Sequence, residues 1–254
     1  MVSSKNGVTI KSKHEIASMK EAGRIVAIVL EKIADSIKPG VTTAFLDSIA
    51  SQEIRAMGAK PAFLGLYGFP ATICTSINEE IVHGIPSDRV LKSGDLVKID
   101  IGAIIEGMYS DHAITFAVGE VTDEAMGLID STRNALKIAI ETVAPGVRLG
   151  DIGSTIQGYA EGLGYSVVRE YVGHGIGRAL HEDPAVPNYG TPGRGMILRE
   201  GMAIAIEPML NIGTWKTEVL EDNWTVVTAD RKLSAHFEHT MIVTQDGAEL
   251  TTVV

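Results

Sequence analysis

Two aspartates in strongly apolar segments could carry out chemistry. Asp100 lies in LVKIDIGAI, a β-branched run that predicts a buried strand, and Asp111 follows after the segment IEGMYS. An unpaired carboxylate in a buried strand costs several kcal/mol or takes up a proton. Glu106-Gly107 is typical of a hairpin turn, which would bring the two aspartates nearly opposite each other on adjacent antiparallel strands. Carboxylates that close repel each other unless they share a proton or a cation.

Two glutamates repeat this arrangement in the second half of the chain. Glu207 ends the apolar run MAIAIE, and Glu238 lies in SAHFEHTMIV. Taken alone, a strand carboxylate is more often bound by backbone amides or by an arginine, and a histidine such as His174 is more often a packed core residue. Four acids in apolar strands have no comparably simple structural explanation. With His174 they supply five nitrogen and oxygen ligands, which can hold two divalent ions and activate water between them.

An internal repeat relates the two halves. The tripeptide PGV at 39–41 reappears at 145–147, an offset of 106, and GDLVKID at 94–100 aligns with GMAIAIE at 201–207, an offset of 107. In both longer segments, apolar residues lead to one carboxylate. Matches that keep the same order along the chain favour duplication of one structural unit. Pseudo-two-fold packing of two such units would bring all four acids together at the centre of the molecule.

Each unit is predicted to contain two helices followed by two strands. Apolar spacing predicts a helix from Glu15 to Ile37 and another from Thr43 to about Met57, which Gly58 ends. Strands are predicted at 71–75 and 96–104, and the same order starts again near Thr122. We therefore expect an α/β (α+β) fold in one catalytic domain, residues 1–254, with pseudo-symmetric halves of about 11–120 and 121–251.

Composition excludes several classes of protein. The 254 residues carry a formal net charge of −10, which disfavours binding to DNA or to other nucleic acids. A single cysteine, Cys74, rules out an intramolecular disulfide and suits a reducing compartment. The N-terminal segment lacks the apolar core of a signal peptide, and no apolar run approaches membrane-spanning length. We expect a cytoplasmic monomer without a membrane partner.

Five long motifs resemble those of a known family. They are NEEIVHGIP (78–86), KIDIGAIIEGMYSDHA (98–113), YVGHGIGRALHEDP (171–184), GMAIAIEPML (201–210) and DNWTVVTADRKLSAHFEHT (222–240). In this order they resemble the methionine aminopeptidases, specifically the short type I enzymes of bacteria, and the resemblance runs from about Lys11 to Thr251. It implies the pita-bread fold, in which duplicated helix-helix-strand-strand halves surround a central antiparallel sheet. That fold agrees with the internal repeat.

The resemblance also implies an activity and a dinuclear metal centre. Members of the family are hydrolases that remove the initiator methionine from peptides and from nascent chains at the ribosome, preferably when the second residue is small. Water activated by two divalent metal ions (Co, Mn, Fe or Zn) attacks the scissile carbonyl. Matched by motif position, the metal ligands would be Asp100, Asp111, His174, Glu207 and Glu238. Asp111 and Glu238 would bridge both ions, His174 and Glu207 would complete one site, and Asp100 the other.

Further side chains are implied to contact the substrate. Glu207 would accept a proton from the attacking water, His181 would donate to the carbonyl oxygen as it becomes an oxyanion, and His83 would lie beside the leaving amine. The residues implied for the methionine pocket are Phe69, Cys74 and Trp224, with Leu66 and Leu180 where bacterial members often carry aromatic rings.

Other positions are less typical of the family. Leu66 and Leu180 are equally explained as plain core residues. His236 stands where an uncharged polar residue such as glutamine is expected. Asn78, with Ser234, resembles the positions of a structural monovalent-cation site.

Two other assignments stay open. Prolidases and X-Pro aminopeptidases share the fold and all five ligands, but they usually carry a large additional N-terminal domain, for which this chain has no room. Some pita-bread proteins have lost their metal and act as binding modules for proteins or nucleic acids. Loss of ligands is the signature of that class, and no ligand is missing from this sequence.

Overall fold

The helices and strands are seen in a computed structural model that describes residues 7–254; residues 1–6, the start of the N-terminal segment considered above, lie outside the described range. The helices are α1 (Lys13–Ser36), α2 (Thr43–Ala56), α3 (Asp123–Thr142) and α4 (Leu149–Gly162), with a 3-10 turn at Leu66–Gly68. The strands are β1 (Lys60–Pro61), β2 (Ile73–Ile77), β3 (Glu80–Val82), β4 (Leu96–Ile105), β5 (Met108–Ala117), β6 (Ser166–Val167), β7 (Gly173–Gly175), β8 (Glu182–Val186), β9 (Ala203–Ile206), β10 (Met209–Asn211), β11 (Thr217–Val219), β12 (Val226–Thr228), β13 (Ser234–His236), β14 (Glu238–Thr244) and β15 (Gly247–Leu250).

Local hydrogen bonds determine where the helices begin and end. Ser12 caps α1: its Oγ accepts a hydrogen bond from the Glu15 N–H at 3.3 Å, and the Glu15 carboxylate accepts one from the Ser12 N–H at 2.8 Å. This capping box satisfies two amide groups near the start of the helix. Gly58 and Gly164 follow α2 and α4 with φ of +81° and +87°, a conformation that glycine adopts without strain. Both helices predicted in the first half, and the end at Gly58, are confirmed.

No helix within residues 7–254 is long and apolar enough to cross a membrane.

A central antiparallel sheet contains the long strands. Its path is β1-β4-β5-β14-β9-β7-β8, and β2 and β15 pair with β4 and β14 outside that path. β4 and β5 form a hairpin that closes between Ile105 and Met108. Glu106 and Gly107 have φ of +51° and +78°, as both central residues of a type I′ turn require. The predicted hairpin turn is therefore confirmed.

Matching hydrogen bonds reveal the duplication of the two halves. The N–H of Gly40 donates to the carbonyl of Leu91 at 2.9 Å, and the N–H of Gly146 donates to that of Leu198 at 2.9 Å. The two glycines have nearly the same φ, +95° and +94°. The offset of about 106 residues found in the sequence is thus an offset between equivalent backbone positions. The predicted pseudo-symmetric pita-bread architecture is confirmed.

Helices cover one face of the central sheet. α1 and α2 pack on the face of β4 that carries Ile99 and Ile101, and α3 and α4 pack on the face of β14 that carries Met241. Side chains alternate along a strand, so Asp100 and Glu238 point to the opposite face. The two largest apolar clusters therefore lie on one side of the sheet, and the carboxylates lie on the other side, next to a smaller apolar cluster that includes Phe69, Cys74 and Leu180.

The first predicted strand is shifted by two residues at both ends. The strand expected at 71–75 is β2, Ile73–Ile77. The N–H of Thr72 donates to Oδ1 of Asp47 at 2.8 Å instead of pairing with a strand. The next position on β4 is already occupied, because the N–H of Ala62 donates to the carbonyl of Gly102 at 3.0 Å, and β2 therefore begins only at Ile73, opposite Ile101.

Candidate metal centre and adjoining pocket

Five neighbouring strands each bring one candidate ligand to the same region. Asp100 lies in β4, Asp111 in β5, Glu238 at the start of β14, Glu207 directly after β9, and His174 in β7. These strands are consecutive in the central sheet, in the order β4-β5-β14-β9-β7. The sheet therefore carries the five side chains as one row across the face that the helices leave uncovered.

Strand register determines which of these side chains meet. Asp100 and Glu238 both pair with Ala113, one from each side of β5. Asp111 pairs with Gly102, so the two aspartates are diagonal neighbours and not directly opposite each other, which corrects the sequence-based expectation. The diagonal register still keeps both carboxylates on one face, where each affects the pKa of the other.

His174 lies between two of the carboxylates. Its Nε2 is 3.9 Å from Oδ2 of Asp111 and 3.8 Å from Oε1 of Glu207. One ligand atom each from Asp111, His174 and Glu238 lie within 4.8 Å of one another. Oδ1 of Asp100 and Oε1 of Glu238 are buried, and no described residue donates a hydrogen bond to them. Buried carboxylate oxygens without a donor are typical of a site that binds a cation.

Burial and mutual repulsion change the acidity of the whole cluster. Burial raises the pKa of Asp111 and of Glu238 well above the usual range, and the neighbouring carboxylates raise it further. Burial also raises the pKa of Glu207 to about 8 and that of Asp100 to about 6. Burial lowers the pKa of His174 to about 4, so its imidazole is neutral at neutral pH and has a free lone pair.

This donor set fits divalent metal ions. Carboxylate oxygens and a neutral imidazole nitrogen are ligands that Mn, Fe, Co and Zn all accept. Four clustered carboxylates also carry more negative charge than one divalent ion would compensate. The residues present therefore suit the dinuclear centre that the sequence implies.

An apolar pocket opens beside the carboxylates. This cavity of about 110 Å³ is lined by every residue predicted for a methionine pocket, namely Leu66, Phe69, Cys74, Leu180 and Trp224. The rings of Phe69 and Trp224 meet edge to face, with centroids 5.1 Å apart. Cys74 pairs with Asp100 across β2 and β4, so the pocket wall adjoins the carboxylate row. Burial and the charge of Asp100 raise the pKa of the Cys74 thiol, which therefore stays protonated.

Two further residues line this pocket that the sequence did not single out, Phe63 and Tyr67. Both belong to the segment AFLGLYGF at 62–69, between β1 and β2. The Tyr67 ring stacks on that of His181, with centroids 6.3 Å apart. The feature of the sequence that could have indicated these two residues is the high density of aromatic residues and glycines in this segment, which also contains Phe69.

The two predicted substrate histidines border the ligand cluster. Both line a cavity of about 280 Å³ together with all five candidate ligands. The His181 ring lies edge-on to that of His174, with centroids 4.5 Å apart, and the His83 ring lies 5.6 Å from that of Tyr171. Burial lowers the pKa of both residues, that of His83 to about 4. A neutral imidazole keeps one N–H, which it can donate to a substrate oxygen.

His236, which stands where the family is expected to carry glutamine, contacts the carboxylate row at Glu207. It is almost fully buried, and its Nε2 is 3.6 Å from Oε2 of Glu207. Neither ring nitrogen forms a hydrogen bond with any residue in the described part of the chain. Burial lowers its pKa to about 4, although the charge of Asp100 opposes that shift. A neutral imidazole therefore lies directly against the Glu207 carboxylate.

A side chain occupies the position predicted for a monovalent cation. Lys98 Nζ donates to the carbonyl oxygen of Asn78 at 2.7 Å and to that of Ser234 at 3.0 Å. Burial lowers the pKa of Lys98 to about 7, and the carboxylates of Glu80 and Glu79 oppose that effect. Asn78 and Ser234 do not fit a free cation while Lys98 lies between them.

Sequence comparisons identify close relatives along nearly the whole chain. The model of metallopeptidase family M24 matches residues 17–245. Methionine aminopeptidase 1 of Bacillus subtilis (strain 168) is 49% identical over 247 residues, which are 97% of this chain and 100% of the relative. The methionine aminopeptidase of Clostridium perfringens is 48% identical over 247 residues, which are 97% of this chain and 99% of the relative.

Solved structures share the fold to different extents. A methionine aminopeptidase from Thermotoga maritima has a TM-score of 0.96 at 46% identity and covers 97% of this chain and 100% of its own. A prolidase from Pyrococcus furiosus has a TM-score of 0.80 at 25% identity, and the match covers 96% of this chain but 65% of the prolidase. Because the family model spans most of its length and nearly half of its residues are identical to those of full-length relatives, the chain belongs to metallopeptidase family M24 and, within that family, to the methionine aminopeptidases.

Proposed function

We propose that the protein hydrolyses the N-terminal methionine from peptides and nascent chains, preferably when the second residue is small. The observation that carries this proposal is the contact between an apolar pocket and a row of carboxylates, because Cys74 in the pocket wall pairs with Asp100. A methionine side chain bound in the pocket would have its α-amine and its carbonyl beside the carboxylates. Relatives named methionine aminopeptidases, at 48% and 49% identity, support the same activity.

Asp100, Asp111, His174, Glu207 and Glu238 would hold two divalent ions, with Asp111 and Glu238 shared between them. When bound, Co, Mn, Fe or Zn ions lower the pKa of water and polarise a carbonyl group. The protein's own contribution is a rigid frame, since each candidate ligand belongs to a different strand of one sheet or directly follows it. Burial of the row also strengthens electrostatic interactions, because little water screens them.

Three side chains would act on the substrate directly. Glu207 would accept a proton from the attacking water, since its buried carboxylate lies within the ligand row, with Oε1 3.8 Å from Nε2 of His174. His181 lies at the edge of both cavities and would donate to the carbonyl oxygen as negative charge develops there. His83, which also lines both cavities, would hydrogen-bond to the leaving amine.

The same arrangement accounts for removal of the first residue alone. Asp100 and Asp111 border the methionine pocket, where they would face the substrate's α-amine. A preceding residue would have to enter that space, and a blocked amine would lose its charge. An unblocked N-terminus is therefore required.

We propose that the protein acts as a monomer in the cytoplasm on chains that leave the ribosome. The partner at this stage is the nascent chain itself. A net charge of −10 repels ribosomal RNA, which makes a direct contact with RNA unfavourable.

A peptide panel under one metal and one pH tests the activity. X-Ala-Ser peptides with methionine or norleucine at X should be cleaved at similar rates. An apolar pocket discriminates between side chains of similar size by only about 1–3 kcal/mol per methylene. Leucine should be removed slowly, and lysine or valine hardly at all. Among Met-X-Ser peptides, glycine, alanine and serine at X should exceed leucine and lysine. Preferred cleavage of X-Pro peptides, with little regard for X, would contradict the proposal and favour a prolidase.

A further inference from the structure

Lys98 is a fully buried lysine whose amino group donates to backbone carbonyl groups. Its side chain is among the largest that are fully buried, and its residue is 1% exposed. Within residues 7–254, no carboxylate oxygen lies within the ion-pair distance of 4.0 Å from its Nζ, which donates to the carbonyls of Asn78 and Ser234. Lys11, the other buried lysine in the described range, instead has Oε2 of Glu182 at 2.7 Å from its Nζ. Lys98 therefore interacts with the dipoles of peptide groups, whereas Lys11 is paired with a negatively charged carboxylate.

The two carbonyl groups are held in position independently of Lys98. Asn78 lies between β2 and β3 with φ of +56°. Its side chain donates to Oδ1 of Asp95 at 2.9 Å and accepts from the N–H of Leu96 at 2.9 Å. The N–H of Ser234, the first residue of β13, donates to the carbonyl of Asn78 at 3.1 Å. Both carbonyl oxygens thus converge on one point through contacts that would persist without the lysine.

Converging carbonyl oxygens are a site for a monovalent cation. In potassium channels, rings of backbone carbonyl oxygens replace the hydration shell of the ion, and the same chemistry applies on a smaller scale to two such oxygens. An ammonium group carries the same single charge and has a similar size. We propose that the ammonium group of Lys98 is a built-in substitute for a monovalent cation, so that the protein needs neither sodium nor potassium at this position. The cation implied by Asn78 and Ser234 is then supplied by the chain itself.

The location of Lys98 connects this contact to the metal centre. β4 continues from Lys98 to Asp100, and the chain continues from Ser234 to Glu238. Asn78 precedes β3, which leads to His83. The ammonium group therefore joins three segments that each carry a side chain of the centre, and it acts as a positioning group.

Lys98→Ala provides the first test, with full-length protein loaded with a fixed concentration of Mn²⁺. Removal of the side chain leaves the converging carbonyls and an empty space. The Tm should be lower than that of the wild type in choline chloride and should rise in KCl or NaCl at equal ionic strength. An ion at about five times its dissociation constant raises the Tm of a chain of this size by roughly 2–4 °C. The wild-type Tm should be the same in all three salts.

Two other variants separate this role from simple packing. Lys98→Met fills most of the space without a charge, so its Tm should be lowered but should not respond to potassium. Lys11→Ala is the matched control, because it removes a buried lysine that is paired with a carboxylate, and it should show no preference for potassium over choline. A Lys98→Ala protein whose Tm is equally low in all three salts overturns the proposal.

Thallium(I), a heavy substitute for potassium, gives a direct readout that does not depend on the stability of any variant. In crystals of the wild type soaked in thallium acetate, no anomalous peak is expected between the carbonyl oxygens of Asn78 and Ser234. A thallium peak at that position, or a saturable rise of the wild-type Tm specific to sodium or potassium, would overturn the proposal. In Lys98→Ala crystals the peak should appear. None of these measurements depends on peptide cleavage, so failure here and failure of the proposed function are distinguishable.

Discussion

At the scale of single residues, Glu238 lies at the centre of the carboxylate row. It begins β14, between the strand of Asp111 and the strand that leads to Glu207. It is 2% exposed, and burial together with the charges of Asp111 and Glu207 raises its pKa well above the usual range. Only a cation or a proton can offset its charge. The negative charge of Glu238 should therefore destabilise the metal-free protein and stabilise the metal-loaded protein.

Glu238→Gln is expected to lower the metal content and to abolish most peptide cleavage, because it removes a charged ligand. In metal-free protein the same change relieves repulsion, so its Tm should equal or exceed that of the metal-free wild type. Elemental analysis and calorimetry measure the two effects. Glu249→Gln in β15, which breaks only a surface ion pair with Lys20, is the matched control and should change neither quantity. A variant that keeps two metal ions and near-normal turnover would show that Glu238 is not a bridging ligand.

His181 should act mainly in the transition state. His181→Ala is expected to reduce kcat by about 10²–10³-fold with little change in KM, the effect of losing one donor to a developing oxyanion. Steady-state kinetics with a Met-Ala-Ser peptide measure both constants. Tyr67→Phe keeps the ring that stacks on His181 and should retain a kcat near that of the wild type. A change confined to KM would instead assign His181 to binding of the ground state.

At the scale of elements, helix α1 approaches the C-terminal segment so closely that it requires a glycine. A Cβ at Gly23 would lie 2.2 Å from the carbonyl oxygen of Thr251 and 2.9 Å from Oγ of Ser110. α1 packs on β4 and β5, the hairpin that carries Asp100 and Asp111. The close approach of this helix therefore supports the strands of the metal centre from their apolar side.

Gly23→Ala should lower the free energy of unfolding by about 1–3 kcal/mol, the usual effect of overpacking, although alanine is the better helix former. Gly158 in α4 is the matched control, since a Cβ there would meet no atom within 4 Å. Gly158→Ala should raise the free energy of unfolding by about 0.5–1 kcal/mol. Urea denaturation measures both values. Equal effects of the two substitutions would mean that α1 can shift without cost.

At the scale of the whole molecule, the two halves meet at a cluster whose stability depends on its cations. Burial raises the pKa of Asp100 to about 6 and that of Glu207 to about 8, above their values in the unfolded chain. A raised folded-state pKa stabilises the protein fully below the unfolded-state pKa, and this contribution is lost as the pH rises through the folded-state pKa. Without metal, protons are thus the cations that offset the charge of the row.

Removal of metal with a chelator should therefore destabilise the protein more at high pH than at low pH. Between about pH 6 and pH 8 the Tm of metal-free protein should fall because these carboxylates lose their protons. The Tm of the metal-loaded protein should fall less over the same range, since metal ions bind the deprotonated carboxylates. Calorimetry across this range compares the two forms. A Tm difference that does not widen with pH would contradict the coupling between protons and metal in this cluster.

Local features were predictable from the sequence because their physical causes are local. The apolar period of α1, the helix end at Gly58 and the turn at Glu106-Gly107 each depend on residues close together in the chain. The start of β2 was misplaced by two residues because Ala62 pairs with Gly102 of β4, the position that Thr72 would otherwise take.

The sequence by itself determined the fold, through its internal repeat and its family motifs. It was also sufficient to predict the four acids and the histidine that the sheet brings into one row. The diagonal register of Asp100 and Asp111 follows from the two-residue turn at Glu106-Gly107, so it was also encoded locally. Only the tertiary structure decided the contact between His236 and Glu207, which depends on packing between separate strands. Lys98 was not singled out at all, because its partners Asn78 and Ser234 are 20 and 136 residues away in the chain. Spacing along a chain does not encode such contacts, which form only when distant strands pack together.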